Sequence, residues 1–121
     1  MQRYTLAALH ALASQERIGG ERMIIRVWRA EVKPGTEQEF WDFIQNNAVP
    51  LMHRARGLMA LHVGNVFGGG SEFVMVSAWK DMESMRAFTG ESWRDAVILP
   101  GEEKFLVKTF VDHYEDTIKP L

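Results

Sequence analysis

From Arg22 onward the chain alternates two kinds of hydrophobic spacing. The run Met23-Ile24-Ile25-Arg26-Val27-Trp28-Arg29-Ala30-Glu31-Val32 is rich in β-branched and aromatic residues and stops at Lys33-Pro34-Gly35. It predicts a strand closed by a turn. Thr36-Glu37-Gln38-Glu39 then has the spacing of a capping box, with Thr36 and Glu39 placed to satisfy amide groups at a helix start. Behind it Phe40, Trp41, Ile44, Ala48, Leu51, Met52 and Ala55 recur at helical spacing and make one apolar stripe. The helix they predict runs to Ala55 and bends at Pro50, which has no amide hydrogen to continue the ladder.

Gly57 opens a second predicted strand, Leu58 to Phe67, and Gly68-Gly69-Gly70-Ser71 is the hairpin connection to a third, Glu72 to Lys80. Asp81 is placed to cap a short helix in which Met82, Met85 and Phe88 fall three apart, and Gly90 ends it. Glu91 to Leu99, carrying Trp93, Ala96 and Val97, predicts a further turn or two of helix before Pro100-Gly101. A last strand, Phe105 to Tyr114, precedes a polar tail. The domain therefore spans residues 22–117, with a tail at 118–121 and an N-terminal extension at 1–21. In that extension Leu6, Leu9 and Leu12 share one side of a short helix ended by Gly19-Gly20. Its weakly basic start and Ala11-Leu12-Ala13 outline a signal peptide, but His10 breaks the apolar run and a single positive charge precedes it, so the helix is the preferred reading.

The order β-α-β-β-α-β is the ferredoxin-like split motif, an α+β fold with two helices on one face of a four-stranded antiparallel sheet. Such a sheet, solvated on its other face, should be apolar only at alternate positions. These strands are apolar on both sides. Phe73, Met75 and Trp79 oppose Val74, Val76 and Ala78, and Ile24 and Trp28 oppose Met23, Ile25 and Val27. The helices cover one face, and a second copy contributing its own sheet is the economical cover for the other. A homodimer follows as an expectation, with the residues before Met23 as the competing cover.

Composition narrows the chemistry. The chain has 121 residues, enough for one domain, and a net charge of −2 from fourteen Lys and Arg against sixteen Asp and Glu. Without a basic excess, nucleic acid is not an expected partner. No apolar run approaches the roughly 18 residues of a membrane helix, so no membrane association is expected and a cytoplasmic location is. Cysteine is absent, which removes thiolate nucleophiles, disulfides and iron–sulfur clusters. Catalysis is left to His, carboxylate, Tyr, Ser or a bound organic molecule. Four Trp, seven Phe and seven Met are many for this length and point to an interface or a pocket beyond the core.

Met23-Ile24-Ile25-Arg26-Val27-Trp28-Arg29, Glu72-Phe73-Val74-Met75-Val76-Ser77-Ala78-Trp79, Phe88-Thr89-Gly90-Glu91, Ala96-Val97-Ile98-Leu99-Pro100-Gly101-Glu102-Glu103 and His113-Tyr114-Glu115 resemble the antibiotic biosynthesis monooxygenase domain of the dimeric α/β barrel group. The resemblance covers residues 22 to 117. It implies a homodimer whose two sheets close into a barrel, with a small-molecule pocket in each subunit between sheet and helices. Members include oxygenases that act on aromatic polyketide-like substrates without metal or flavin, haem-degrading enzymes, and proteins with no known reaction. The strand-three tryptophan of the family carries over onto Trp79 as a pocket residue. In the haem-degrading branch that tryptophan works beside an asparagine on strand one and a histidine from the second helical region. Here Trp28 stands near the asparagine's place and residues 81–99 contain no His, so haem degradation is a third and weaker reading.

The leading expectation is thus a monooxygenase-like domain that oxidises a small aromatic or polyketide-like compound with dioxygen, with no cofactor. Such chemistry needs a base, a dry pocket and donors for a developing oxyanion. His62 and His113 are the candidate bases, because an unperturbed imidazole titrates near neutrality. Whether His62 faces the pocket depends on the hairpin register, and a slip of one residue reverses it; a satisfied structural histidine is the commoner case. His113 within the family's His-Tyr-Glu ending is as readily a packing residue. His53 suits the C-terminal end of its helix. No pair has metal-ligand spacing, so no protein-built metal centre is expected. Trp28 and Trp79 are candidate pocket walls, although core packing is the commoner case; Arg26 and Ser77 lie on the same strands, Arg26 either orienting an anionic substrate or, more commonly, pairing with an acidic side chain, and Phe40, Ile44 and Phe88 complete the lining, equally readable as core. Arg26 requires a carboxylate, a ligand or solvent, since an unpaired buried charge is costly. Gly64 to Ser71 imitates a phosphate-loop spacing, but Gly70 occupies the lysine position and a strand follows it. The alternative function is a non-catalytic module of the same fold that binds a small ligand.

Overall fold

A computed structural model describes residues 22–117 of the chain. The strands are β1 (Ile24–Val32), β2 (Leu58–Asn65), β3 (Glu72–Trp79) and β4 (Leu106–Glu115), in the spatial order β2-β3-β1-β4 with every pair antiparallel. The helices are α1 (Glu37–Phe43), α2 (Val49–His53) and α3 (Met82–Thr89). Between α1 and α2 lies a π-helical turn, Ile44–Ala48, and the backbone stays helical through both junctions. This is the α+β ferredoxin-like architecture that the hydrophobic spacing predicts.

The sheet's period of two sorts its side chains. Ile24, Arg26, Trp28, Ala30 and Val32 of β1 and Phe73, Met75, Ser77 and Trp79 of β3 are buried on the helix-facing side. Phe40 of α1 is completely enclosed there, 5.0 Å from the Phe73 ring, 5.7 Å from Phe105 and 6.3 Å from Trp28. The other face carries Ile25, Val27, Val74, Val76 and Ala78, all half-buried, with Phe110 and Tyr114 of β4 exposed beside them. The described helices pack on the opposite side and leave this apolar face open.

Several local expectations are corrected. The capping box at Thr36 does not form. The turn closes through Thr36 N–H to Lys33 O at 3.1 Å, which holds Thr36 at φ −104° and ψ 6°, away from the extended geometry of a capping residue. Its hydroxyl donates to Lys33 O at 2.6 Å instead. Glu37, rather than Glu39, organises the helix start by accepting from Gly35 N–H at 2.7 Å and from Ser71 Oγ at 3.0 Å. The expected irregularity at Pro50 is present one turn earlier. Proline cannot donate to the carbonyl four residues back and its ring crowds it, and the π turn placed just before Pro50 widens the helix there.

Strand β2 stops at Asn65 instead of Phe67 because the Asn65 side chain donates to Gly70 O at 2.8 Å and Glu72 O at 3.0 Å, drawing the chain into the hairpin. Asp81 caps α3 as expected, accepting from Ser84 N–H at 2.7 Å, and Gly90 ends the helix at φ 87°. The further helix expected over Glu91 to Leu99 is absent. The segment forms isolated turns, and its Trp93 and Asp95 carbonyls accept bonds from Arg26 rather than from a helical ladder. The readings for 1–21 and for the tail at 118–121 fall outside the described residues.

Candidate functional site

The register of two neighbouring strands builds the floor of a cavity. Arg26 pairs with Ser77 and Trp28 with Met75, so alternation places all four side chains in one patch beneath the helices. The π turn contributes Ile44 and Ala48, four residues apart on one side, and α2 adds Leu51 and Met52. Phe88 of α3 and Val97, Leu99 and Glu102 of the irregular segment after α3 complete the lining. The enclosed volume is about 50 Å³. That is room for a few waters, and about a third of the ~150 Å³ that accommodates benzene in an engineered apolar cavity.

Besides the Ser77 hydroxyl, three polar groups interrupt the apolar wall. Arg26 is buried, and its guanidinium is fixed by Nη1 donating to Trp93 O at 2.5 Å and to His113 Nε2 at 2.9 Å, with Nη2 donating to Asp95 O at 3.0 Å. Every one of these acceptors is uncharged. Burial lowers the Arg26 pKa, yet a guanidinium remains a cation at neutral pH. Glu102 is 2% exposed, and its Oε1 accepts from Leu99 N–H at 2.9 Å. Its pKa is raised first by loss of hydration and also by the neighbouring Glu103, against the lowering effect of the Leu99 amide. Trp28 supplies the third group. Its indole N–H is buried and has no hydrogen-bond partner among the described residues, a state that is rare because such a donor normally finds an acceptor.

Of the residues expected to line a pocket, Arg26, Trp28, Ile44, Ser77 and Phe88 come together at the cavity. Phe40 belongs to the core behind Trp28, where it stacks against that indole. Trp79 is fully buried behind the wall: its N–H donates to Ser77 Oγ at 2.9 Å and its ring lies 5.4 Å from Phe88. Through that bond Trp79 sets the Ser77 hydroxyl and leaves its hydrogen available to donate.

The two candidate bases separate. His62 pairs with Val76, so it is exposed on the sheet face away from the cavity. His113 pairs with Arg26 and shares its face, reaching the cavity only through the guanidinium. Burial, then Arg26 and more weakly Arg94, hold the His113 pKa below the ordinary imidazole value, opposed by Asp112. Glu102 is the carboxyl that sequence reasoning missed. It lies between helix and strand, where no periodicity reports facing, and the weak signal was a turn, Pro100-Gly101, folding the chain back after the apolar Ala96 to Leu99.

Among the described residues no group of three or more His, Cys, Asp or Glu is arranged to hold a metal ion, and no helix is long and apolar enough to cross a membrane. Comparison with solved structures gives the same fold. A candidate antibiotic biosynthesis monooxygenase from Bordetella bronchiseptica superposes with a TM-score of 0.61 at 24% identity, over 81% of this chain and 100% of that one. A protein of unknown function from Nitrosomonas europaea gives 0.66 at 24% identity, over 84% and 95% of the two chains. A further candidate antibiotic biosynthesis monooxygenase, from Caulobacter crescentus, gives 0.66 at 12% identity, over 87% and 99%. No curated protein matches the chain significantly. The family model described as antibiotic biosynthesis monooxygenase matches residues 23–97, which carry β1, α1, α2, β2, β3 and α3, and the chain belongs to that family.

Proposed function

We propose that this domain is a monooxygenase that oxidises a small aromatic or polyketide-like compound bearing an acidic hydroxyl or enol, using the compound's own electrons and no bound metal or flavin. The observation that carries this reading is Glu102, a buried carboxyl in the wall of an apolar cavity, whose pKa burial raises above the ordinary carboxylate value. A carboxylate made more basic by burial is better suited to proton abstraction. In the first step the substrate O–H bond breaks, its proton passes to a Glu102 carboxylate oxygen, and the electron pair stays on the substrate oxygen. The resulting anion is electron-rich enough to reduce dioxygen. Overall a phenol and dioxygen give a quinone and water: one oxygen atom enters the ring, the other leaves with two substrate hydrogens, and no external reductant enters the balance.

Among the described residues no helix covers the apolar face with the half-buried Val27 and Val76, which supports a homodimer in which a second copy's sheet faces it. Oxygen uptake with a panel of phenols, naphthols and anthrones tests the reaction. The wild type should accelerate uptake over a protein-free control, and Glu102→Gln should lose about 100-fold or more of that rate while still binding the compound. Uptake unchanged in the variant would sink the role of Glu102. Neither His62 nor His113 lines the cavity, which favours a second reading, a binding module without turnover; tight binding with no uptake from any panel member would establish it. Haem degradation is checked with haemin and a reductant, and is rejected if the Soret band decays no faster than without protein.

A further inference from the structure

The cavity wall holds a positive charge that nothing in the described chain neutralises. Arg26 is 5% exposed, and its three hydrogen bonds go to two backbone carbonyls and an imidazole nitrogen. An uncompensated buried cation is costly, and this one is not loose: two of its acceptors belong to the irregular segment after α3 and the third to β4, so the guanidinium is clamped in place. Three of its five N–H groups are engaged, which leaves two to donate elsewhere. On the neighbouring position of the same strand face, Trp28 presents a buried indole N–H with no acceptor among the described residues. Ser77, opposite Arg26 on β3, has its oxygen occupied by the Trp79 N–H and its own hydrogen free. The floor of the cavity therefore gathers donors about a fixed cation, and apart from Glu102 the rest of the wall is apolar.

We propose that the cavity binds its ligand as an oxyanion, with Arg26 as counter-ion and the Trp28 N–H and Ser77 O–H as further donors to an apolar molecule carrying one ionised oxygen. The inference rests on the proposed reaction only for where the anion comes from. A carboxylate brings its charge with it; a phenol or enol acquires it inside, when Glu102 takes the proton. In the second case the negative charge moves from Glu102 to the ligand oxygen beside Arg26, and the net charge of the site is unchanged. The titratable and charged groups facing the ligand oxygen are Arg26, Glu102 and, behind Arg26, His113. Donors fixed before the ligand arrives stabilise an oxyanion more than water does, since they need not reorganise. Glu102 as the neutral acid offers no repulsion, whereas a ligand anion beside an ionised Glu102 would be opposed by it.

The test measures binding without oxygen, so that it is independent of turnover. Isobutyrate and benzoate are compared with isobutyramide and benzamide by calorimetry, and 4-nitrophenol is titrated spectroscopically for ionisation on the protein. Each acid should bind at least about tenfold more tightly than its amide, and bound 4-nitrophenol should ionise at a pH lower by about one unit, a tenfold change in the equilibrium. Arg26→Gln should abolish both preferences. Because Arg26 also anchors the segment after α3, Trp28→Phe serves as a second variant: it keeps the ring, removes the donor, and should weaken the anions severalfold while leaving the amides unchanged. A preference in the carboxylate arm alone supports a ligand that arrives ionised, and a shift in the phenol arm supports one ionised in place. Equal affinity for acids and amides together with unshifted 4-nitrophenol overturns the proposal even if oxygen uptake is found. Anion preference without any uptake leaves it standing and removes the oxygenase reading instead.

Discussion

Arg26 Nη1 lies 2.9 Å from His113 Nε2, and the two residues are direct cross-strand partners of β1 and β4. A guanidinium only donates, so the imidazole must accept at Nε2 and carry its hydrogen on Nδ1. The Trp93 ring meets the imidazole edge-on with centroids 5.0 Å apart, and Trp93 O accepts from the same Nη1. The histidine that sequence reasoning offers as a base is thus the residue that aims the cation.

That arrangement predicts a direction of pH dependence. Burial and Arg26 depress the His113 pKa, so the unfolded chain takes up a proton before the folded one does. Stability from this site is complete above about pH 6.5, the ordinary histidine value, and falls as the pH drops below it. Thermal melting of the wild type between neutral and mildly acidic pH should show that loss, and His113→Gln, which keeps an acceptor but does not titrate, should flatten it. A variant with the same slope as the wild type would mean that His113 is not the source.

Glu102 carries the opposite sign. Its folded pKa is raised, so the folded state holds its proton more tightly and stability declines as the pH rises above about 4.3, the ordinary glutamate value. Glu102→Gln cannot ionise. It should melt a few degrees higher than the wild type at neutral pH and converge with it in acid, while oxygen uptake is lost. A destabilised variant at neutral pH would contradict the buried-charge account.

Gly57 is a packing constraint outside the cavity. It has φ +85°, and a β-carbon there would come within 2.4 Å of both Ser84 Cβ and Oγ. Gly57→Ala should cost on the order of 2 kcal/mol or more, from backbone strain and the clash with α3. Adding Ser84→Gly should recover part of the loss in denaturant titration, since it removes the clash and leaves the strain. No recovery would place the whole cost in the backbone.

The open sheet face predicts the assembly. At micromolar concentration the wild type should sediment as a dimer, and Val76→Lys, a charge placed in the middle of that face, should sediment as a monomer with its helix-side core intact. A wild-type monomer would leave the half-buried Val27, Val74 and Val76 without the partner inferred for them.

The elements were legible in the sequence because their causes are local. Strand alternation around Trp28, the Asp81 cap and the glycine ending α3 each depend on residues within a turn or two, and each is present. Thr36 was misread as a cap because the preceding turn, not the helix, sets its backbone. The segment after Gly90 was misread as a helix for a different reason: its carbonyls are claimed by Arg26, 67 and 69 residues earlier in the chain.

The pocket divides along the same line. Period-two alternation alone grouped Arg26 with Trp28 and Ser77 with Trp79, and the helical stripe supplied Ile44. Only the tertiary structure decided which of them meet. The β2–β3 register sent His62 to the far face beside Val76, since one residue of offset inverts a strand's facing. Packing put Trp79 behind Ser77 and Phe40 behind Trp28, and a loop without periodicity brought Glu102 to the wall. By itself the sequence determined a two-sided apolar sheet under helices, because burial pattern follows from residue order. Where charge sits in the cavity was decided by contacts between residues up to 87 positions apart, which no local pattern encodes.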